Sequence, residues 1–394
     1  MFRLPRALIP IYGTTLADTL GYTLMIPLLP SIVRQFHVSD VMVGALLSVP
    51  AFCSTVAAPV WGKVSDRIGR KPIIIGSQIL TLIGYLVLAT ANSFVIIAAS
   101  RIASGLGAGG LGAVQSYIAD VTEPDQRDLA YSLYGAVFGV AFIIGPLISG
   151  FLAHEGYSIP FYFASLLAAA NIVFTWFFIP AFGKKDKSTS VEASVKAASA
   201  PEVRLVLIRQ FLAILAIVCF LSNFGLFLEH VLHENVAAIG WLLALAGGVG
   251  GAALVFVVTP LAARIGDRRV AQLGLFFSFI AYGMLWFADT MPLFCVTLIF
   301  WAVGSAMVEP TLTAMLSVRA KASERGAVMG VSDSVNSMAM IVGPAAGAAI
   351  IGVDPRFLGV IPAAAALAAI LLPPLKKDDA QAKCEEREER ARAS

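Results

Sequence analysis

Hydrophobic positions fill the chain in long blocks that are separated by short polar breaks. A helix needs about 20 apolar residues to span the hydrocarbon core of a membrane, and about twelve blocks are close to that length or longer. The blocks lie near 7–33, 41–62, 72–91, 94–119, 129–153, 159–180, 206–229, 237–263, 270–289, 291–316, 326–350 and 356–375. The chain is 58% hydrophobic, against about 45–50% apolar residues in soluble domains. We therefore expect an all-α, multi-pass integral membrane protein.

The positions of the cations predict its orientation. If both termini are cytoplasmic, 25 of the 28 Lys and Arg residues lie in cytoplasmic breaks or tails, and the exceptions are Arg34, Arg101 and Arg356. This bias follows the positive-inside rule. The net charge of +3 then reflects topology, and we expect lipid neighbours and no nucleic-acid partner. The first helix is too long for a signal-peptide core, so we expect it to be retained.

A polar stretch divides the helices six and six. Residues 181–205 are rich in Lys, Ser, Ala and Glu and predict a flexible cytoplasmic linker. It would separate an N-terminal six-helix bundle, 1–180, from a C-terminal one, 206–375, which is followed by a charged cytoplasmic tail, 376–394.

The two halves carry an internal repeat. Arg127 precedes Gly145-Pro146 by 18 residues, and Arg325 precedes Gly343-Pro344 by the same interval, an offset of 198. At an offset of 197, Arg67-Ile68-Gly69 corresponds to Arg264-Ile265-Gly266. Such duplication is typical of secondary transporters, which bind substrate between two bundles.

One dense run of charge lies between helices 2 and 3, Gly62-Lys63-Val64-Ser65-Asp66-Arg67-Ile68-Gly69-Arg70-Lys71-Pro72. We expect a hairpin there. The run fits the loop 2–3 motif of the major facilitator superfamily, Gly-x-x-x-Asp-Arg-x-Gly-Arg-Lys, at every position, through Gly62, Asp66, Arg67, Gly69, Arg70 and Lys71. The whole chain therefore resembles that superfamily, which implies two pseudo-symmetric bundles of six helices.

Two further motifs resemble its drug:proton antiporter branch. Residues 101–107, beginning at Arg101, resemble the helix-four motif Arg-x-x-x-Gly-x-Gly. Helix 5 matches the branch's glycine-rich motif through Gly135, Gly139, Gly145, Pro146 and Gly150. Ordinary helix packing is the alternative explanation for these glycines and for Gly343-Pro344 in helix 11. Gly105 and Gly109 form a small-xxx-small face that predicts close packing of helix 4.

The resemblance also implies the energy source and the setting. A proton gradient would drive transport without a cofactor, and the partners would be protons and a small-molecule substrate. The functional unit would be one chain, in a bacterial cytoplasmic membrane.

Asp18 is the strongest candidate for proton coupling. It lies about eleven residues into helix 1, or roughly 16 Å deep, where a carboxylate is costly and usually marks an ion pathway. Arg101 lies at a similar depth in helix 4, so we expect it to pair with Asp18. The resemblance gives both residues coupling roles, and a purely structural ion pair is the alternative.

Other acids have less specific roles. The resemblance implies that Asp120 joins Asp66 and Arg70 in a charge relay that latches the outward-facing state. In the second half, Glu309, Asp333 and Asn336 could bind substrate or a second proton, although both acids could instead extend to the cytoplasm. Tetracycline exporters have an acid inside helix 9, whereas residues 273–287 contain none. That difference argues against a tetracycline–metal chelate as substrate.

Histidines and acids cluster at the outer end of helix 7, namely Glu229, His230, His233 and Glu234. Their order is not the zinc-protease order His-Glu-x-x-His, so a solvated helix end is favoured over a metal site, and a pH-sensitive outer gate is an alternative. The sequence shows no nucleophile–base pair or phosphate loop, and we expect no enzyme.

These features together predict a proton-coupled exporter of lipophilic or cationic small molecules. A proton-coupled transporter of a metabolite, such as a sugar, siderophore or organic acid, is the alternative. A transporter-like receptor or assembly protein is a remote one.

Overall fold

The structure is a computed structural model that describes residues 5, 7–36, 38–123, 126–180, 200–319 and 325–373. Ten of its helices are long and apolar enough to cross a membrane. A shorter apolar helix near the C-terminus and a divided helix near the N-terminus complete twelve spanning segments. The tail 376–394, both termini and most of the expected linker lie outside the described residues.

The first six segments, called helices 1 to 6, run through the N-terminal half. Their bounds are Leu8–Thr23 continued by Leu29–Arg34, Asp40–Ile68, Arg70–Ala89, Phe94–Ala108 continued by Leu111–Val121, Arg127–Leu152, and Ile159–Phe178. Helix 1 is divided because Pro27, which has no N–H to donate, lies in the turn between its two parts.

Helices 7 to 12 form the C-terminal half. Their bounds are Pro201–Phe227 with a π-helical end at Leu228–Leu232, Val236–Ala253 with Leu254–Val258 and Thr259–Ile265, Asp267–Met284, Met291–Arg319, Arg325–Ile351, and Pro355–Gly359 with Val360–Leu371. The predicted all-α fold of two six-helix bundles is confirmed.

The predicted hairpin at 62–72 is much tighter than expected. Helix 2 continues through the charged run to Ile68 and helix 3 begins at Arg70, so Gly69 alone separates them. Gly69 has φ of 98°, a conformation that residues with a side chain rarely adopt. Gly266, its counterpart in the repeat, has φ of 83° and separates helices 8 and 9 in the same way. The repeat therefore extends to the backbone.

Two predicted boundaries in the second half are wrong. Helix 7 begins at Pro201, so the last residues of the expected linker 181–205 belong to it. Proline suits the first helical turn because the N–H that it lacks would have no helical partner there. Helix 12 ends at Leu371 rather than near 375. The buried Arg209 donates to the carbonyls of Ala369, Leu372 and Pro373 and so caps that end.

Glycines mark where the two halves meet. A Cβ added to Gly44 of helix 2 would lie 2.7 Å from the Pro344 carbonyl oxygen of helix 11. In the repeat-related contact, a Cβ on Gly240 of helix 8 would lie 2.5 Å from the Pro146 carbonyl oxygen of helix 5. Both contacts lie towards the outer end of the molecule, which carries the loops at 90–93 and 156–158. The opposite end, which carries Gly69 and Gly266, is the cationic end.

The glycines nearer the cationic end have different surroundings. A Cβ on Gly62, Gly135, Gly139 or Gly330 would meet nothing within 4 Å. The helix-packing role considered for Gly135 and Gly139 is therefore wrong for this conformation, because no neighbouring helix approaches them closely. The halves thus pack tightly at the outer end and leave these cationic-end positions open.

The remaining glycines of the helix 5 and helix 11 motifs do contact neighbouring helices. Gly145 packs on Thr23 of helix 1 and Gly343 on Val218 of helix 7, both within one half, while Gly150 faces Ala237 of the other half. The predicted small-xxx-small face of helix 4 is confirmed, since Gly105 approaches Pro50 and Gly109 approaches Ala57, both on helix 2.

Candidate functional site

A charged cluster forms at the cationic end within the first half. Arg70 Nη1 donates to Asp66 Oδ1 at 2.6 Å and to Ser65 Oγ at 3.0 Å, and Arg70 Nε donates to Asp120 Oδ2 at 3.1 Å. The tight turn at Gly69 brings Arg70 back beside Asp66, one helical turn earlier. The three residues that the sequence grouped as a relay are therefore in contact.

The other motif residues at this end have separate roles. Lys71 Nζ donates to the Trp176 carbonyl at 2.6 Å and lies 5.9 Å from the centre of its ring. This contact satisfies a carbonyl in the last turn of helix 6, where a cation is favourable. Arg67 is exposed, and Gly62 contacts no other helix.

Asp18 is held by two amide side chains. Asn171 of helix 6 donates from Nδ2 to Asp18 Oδ1 at 2.8 Å, and Gln78 of helix 3 donates from Nε2 to Asp18 Oδ2 at 3.3 Å. The expected ion pair with Arg101 is wrong for this conformation, because no salt bridge joins the two side chains. Asp18 and Arg101 lie at similar depths along their helices. The rotation of each helix about its axis, however, brings amide side chains and not Arg101 to the carboxylate.

Arg101 is buried, and no ion pair joins it to an acid among the described residues. It is 3% exposed, and its Nε and Nη2 have no hydrogen-bond partner among the described residues. The tyrosines Tyr22 and Tyr85 lie within electrostatic range of the guanidinium. A buried unpaired charge is costly, so this arginine is poised to attract a negative or strongly polarised group.

The candidates of the second half do not form one cluster. Glu309 and Asp333 are exposed, whereas Asn336 accepts from Gln210 Nε2 at 3.0 Å in a network that includes Ser332. Tyr134 of helix 5 lies within electrostatic range of both Asp18 and Asp333. Asp333 therefore faces towards the first half.

Polar contacts join the halves at the outer end. Ser31 donates to Glu229 Oε1, and His230 Nε2 lies 3.6 Å from Asp40 Oδ2, a pair that is ionic only when the histidine is protonated. A concavity of about 370 Å³ beside the first of these contacts is lined in part by Ser31, Glu229, His233 and Glu234. In the part of the chain that the structure describes, no group of three or more His, Cys, Asp or Glu residues could hold a metal ion.

Sequence reasoning missed Gln78 and Asn171. They are 2% and 3% exposed, and each lies inside an apolar helix where an amide is costly unless it is hydrogen-bonded. That cost is the signal that the sequence offers for these two residues. It is weak because a neutral amide, unlike a charged side chain, does not by itself indicate an ion pathway.

Comparisons with known proteins agree with this architecture. The family model described as "Major Facilitator Superfamily" matches residues 11–231 and 206–393. The chain is 30% identical over 343 residues to the tetracycline resistance protein, class B, of Escherichia coli, covering 84% of each protein. It is 27% identical to multidrug resistance protein 2 of Bacillus subtilis (strain 168), covering 83% of this chain and 84% of that protein.

Solved structures show the same fold. A bacterial homologue of the human lysosomal transporter Spinster, in an inward-facing and occupied conformation, has a TM-score of 0.77 at 15% identity and covers 93% of both chains. The predicted resemblance is confirmed by the match to the family model and by these relatives. The chain belongs to the Major Facilitator Superfamily and, like the drug-resistance proteins that it resembles, is a multi-pass membrane transporter.

Proposed function

We propose that this chain is a proton-coupled antiporter that exports lipophilic or cationic small molecules by alternating access. The observation that carries the proposal is the environment of Asp18, a mid-membrane carboxylate held by neutral amides and not neutralised by Arg101. Such an acid can give up its proton to one side and take a cationic substrate in its place. The drug-resistance relatives support an exported drug as that substrate.

The contacts between the halves support alternating access. They are tight at Gly44 and Gly240 towards the outer end, while Gly135 and Gly330 are open towards the cationic end. The positive-inside rule supports a cytoplasmic location for the cationic end. On this proposal the conformation is inward-facing and both termini lie in the cytoplasm. The relatives support placement in a bacterial cytoplasmic membrane.

The charged cluster supports a specific version of the latch. Asp66, Arg70 and Asp120 all belong to the first half and are already in contact while the cytoplasmic ends are apart. In this proposal the cluster docks as a preformed unit against the second half when the cytoplasmic side closes. Opening then breaks contacts between the halves and leaves the cluster intact.

The experiment is a substrate panel in proteoliposomes with an imposed pH gradient, with internal pH and substrate both recorded. Wild-type protein should exchange protons for a lipophilic cation that crosses in the opposite direction. Asp18→Asn should abolish this exchange while the protein stays in the membrane. Asp289→Asn is the matched control, because its ion pair with Arg356 is half exposed and such pairs contribute little. Unchanged gradient-driven export by Asp18→Asn would sink the proposal.

The panel should include tetracycline with and without Mg²⁺. Residues 273–287 lack an acid, so we expect the chelate not to be exported even though tetracycline resistance proteins are relatives.

One observation favours a second candidate, export or import of an organic acid. The buried Arg101, with two unpartnered nitrogens, would anchor an anionic substrate. In that case Arg101→Lys should raise the half-saturating concentration more than it changes the number of protons moved per substrate. The opposite result would exclude this candidate.

A further inference from the structure

Two buried amides form a support around the proposed coupling acid. We propose that Gln78 and Asn171, the amide pair, are positioning residues that stabilise the ionised form of Asp18 and set the pH at which it releases its proton. The inference rests on the proposed function, because it assigns proton coupling to Asp18. It goes beyond that function by naming the groups that tune the proton affinity.

The orientation of Asn171 follows from its second contact. Its Nδ2 donates to the Thr14 carbonyl at 3.1 Å as well as to Asp18 Oδ1 at 2.8 Å. A carbonyl can only accept, so the nitrogen of the amide must face Thr14. Asp18 therefore meets a donor at this oxygen.

Gln78 presents a donor to the other oxygen. Its Nε2 lies 3.3 Å from Asp18 Oδ2 and 3.1 Å from Thr175 Oγ1, and Thr175 in turn lies 3.0 Å from Thr14 Oγ1. The other amide atom of Gln78, Oε1, is buried and has no hydrogen-bond partner among the described residues. Turning the amide over would place that oxygen against the carboxylate, which is repulsive while Asp18 is ionised.

Both donors favour one protonation state. A carboxylate accepts at both oxygens, whereas a protonated carboxyl group carries a donor that would face an amide N–H. Protonation thus costs the amide pair at least one hydrogen bond to a charged acceptor, and such bonds are the stronger kind. The arrangement lowers the affinity of Asp18 for its proton relative to the same buried site without the amides.

The amide pair stays with the acid when the halves move. Helices 1, 3 and 6 all belong to the first half, so rocking of one half against the other does not strip Asp18 of these donors. Among the described residues, Tyr85 of helix 3 and Tyr134 of helix 5 lie within electrostatic range of Asp18, and Tyr85 also lies within range of Arg101 on helix 4. The amide pair therefore lowers the proton affinity of Asp18 in both conformations, and access to water from one side or the other decides when the proton exchanges.

The test is an infrared titration of the full-length protein in lipid bilayers. The carbonyl band of a protonated carboxyl group that is missing in Asp18→Asn is assigned to Asp18 and followed against pH. Asn171→Leu and Gln78→Met each remove donors to the anion, so the midpoint of this band should move to more alkaline pH by about one unit or more. Monodisperse elution from a sizing column confirms folding.

The matched control is Asn223→Leu. Asn223 is also a buried amide whose oxygen has no hydrogen-bond partner among the described residues. Its nitrogen donates to the Cys219 and Pro344 carbonyls, and no hydrogen bond in the described part of the chain joins it to an acid. It should leave the midpoint where it is in the wild type. If Asn171→Leu does not yield folded protein, Gln78→Met decides alone.

The outcomes separate the two proposals. Wild-type midpoints in both amide variants would overturn the role of the amide pair, even if export is proton-coupled. Shifted midpoints in a protein that never couples export to protons would leave the amide pair standing and overturn the proposed function.

Discussion

A methyl group added at Gly44 should push the two halves apart at their outer ends. The new Cβ would lie 2.7 Å from the Pro344 carbonyl oxygen, about 0.6 Å inside an ordinary contact of ~3.3 Å. The Cβ of Ala348, also on helix 11, is a second obstacle. A backbone carbonyl and an alanine Cβ cannot turn away to relieve the clash. Overpacking of this kind costs about 1–3 kcal/mol. The cost applies only while the outer ends are closed, so the ratio of outward-facing to inward-facing molecules should rise roughly 5- to 150-fold.

Double electron–electron resonance measures this change directly. Spin labels introduced as unnatural amino acids at Asn92 and Val353, exposed residues of outer loops in the two halves, should show a larger population at long distance in Gly44→Ala. Gly240→Ala, the repeat-related change, should act in the same direction. Gly248→Ala is the control, because a Cβ there meets nothing within 4 Å. A distance distribution for Gly44→Ala that matches this control would refute the reasoning.

Three further predictions concern contacts of side chains. Arg209→Met removes three hydrogen bonds that cap helix 12. At about 1 kcal/mol for each bond, the change should lower the midpoint of thermal unfolding in detergent by several degrees. An unchanged midpoint would contradict that capping role. Asp120→Asn should reduce export more than Asp66→Asn. The side chain of Asp120 is 18% exposed and that of Asp66 is 40% exposed, so solvent screens the Asp66–Arg70 pair more than the Asp120–Arg70 pair. Equal losses of export activity in liposomes would count against this order. Asp40→Asn removes an ion-pair partner of His230 across the two halves. It should increase the population of long outer-end distances less than Gly44→Ala does, since a partly exposed pair contributes only ~0.2–1 kcal/mol. A larger increase than in Gly44→Ala would show that the polar contact dominates closure.

Part of the relay at the cationic end was predictable because the contact between Asp66 and Arg70 is local, whereas the place of Asp120 in it came from the resemblance to the family. Asp66 and Arg70 are four residues apart, and only a glycine accommodates the backbone at position 69 between two helices. Spacing in the sequence therefore decides most of that geometry. The twelve segments were predictable for a similar reason, since the bilayer imposes a minimum length on each apolar block.

The partner of Asp18 was not predictable in the same way. Counting residues at 1.5 Å each estimates depth, and depth alone made Arg101 a plausible partner. Which side chains meet depends on how each helix is rotated and which helix packs beside it. Gln78 and Asn171 come from helices 3 and 6, far from Asp18 in sequence, and their meeting is a result of tertiary packing.

The paired contacts of Gly44 with Pro344 and Gly240 with Pro146 have a consequence for the origin of the chain. Each joins a glycine of one half to a Gly-Pro helix of the other, and the repeat exchanges the two contacts. In a dimer of identical six-helix chains the same residues would meet twice around a two-fold axis, as in any isologous interface. A half-length ancestor could therefore have built this junction by self-association. After fusion the two copies could diverge, and the position 197 residues after Asp66, which corresponds to it in the repeat, is Ala263.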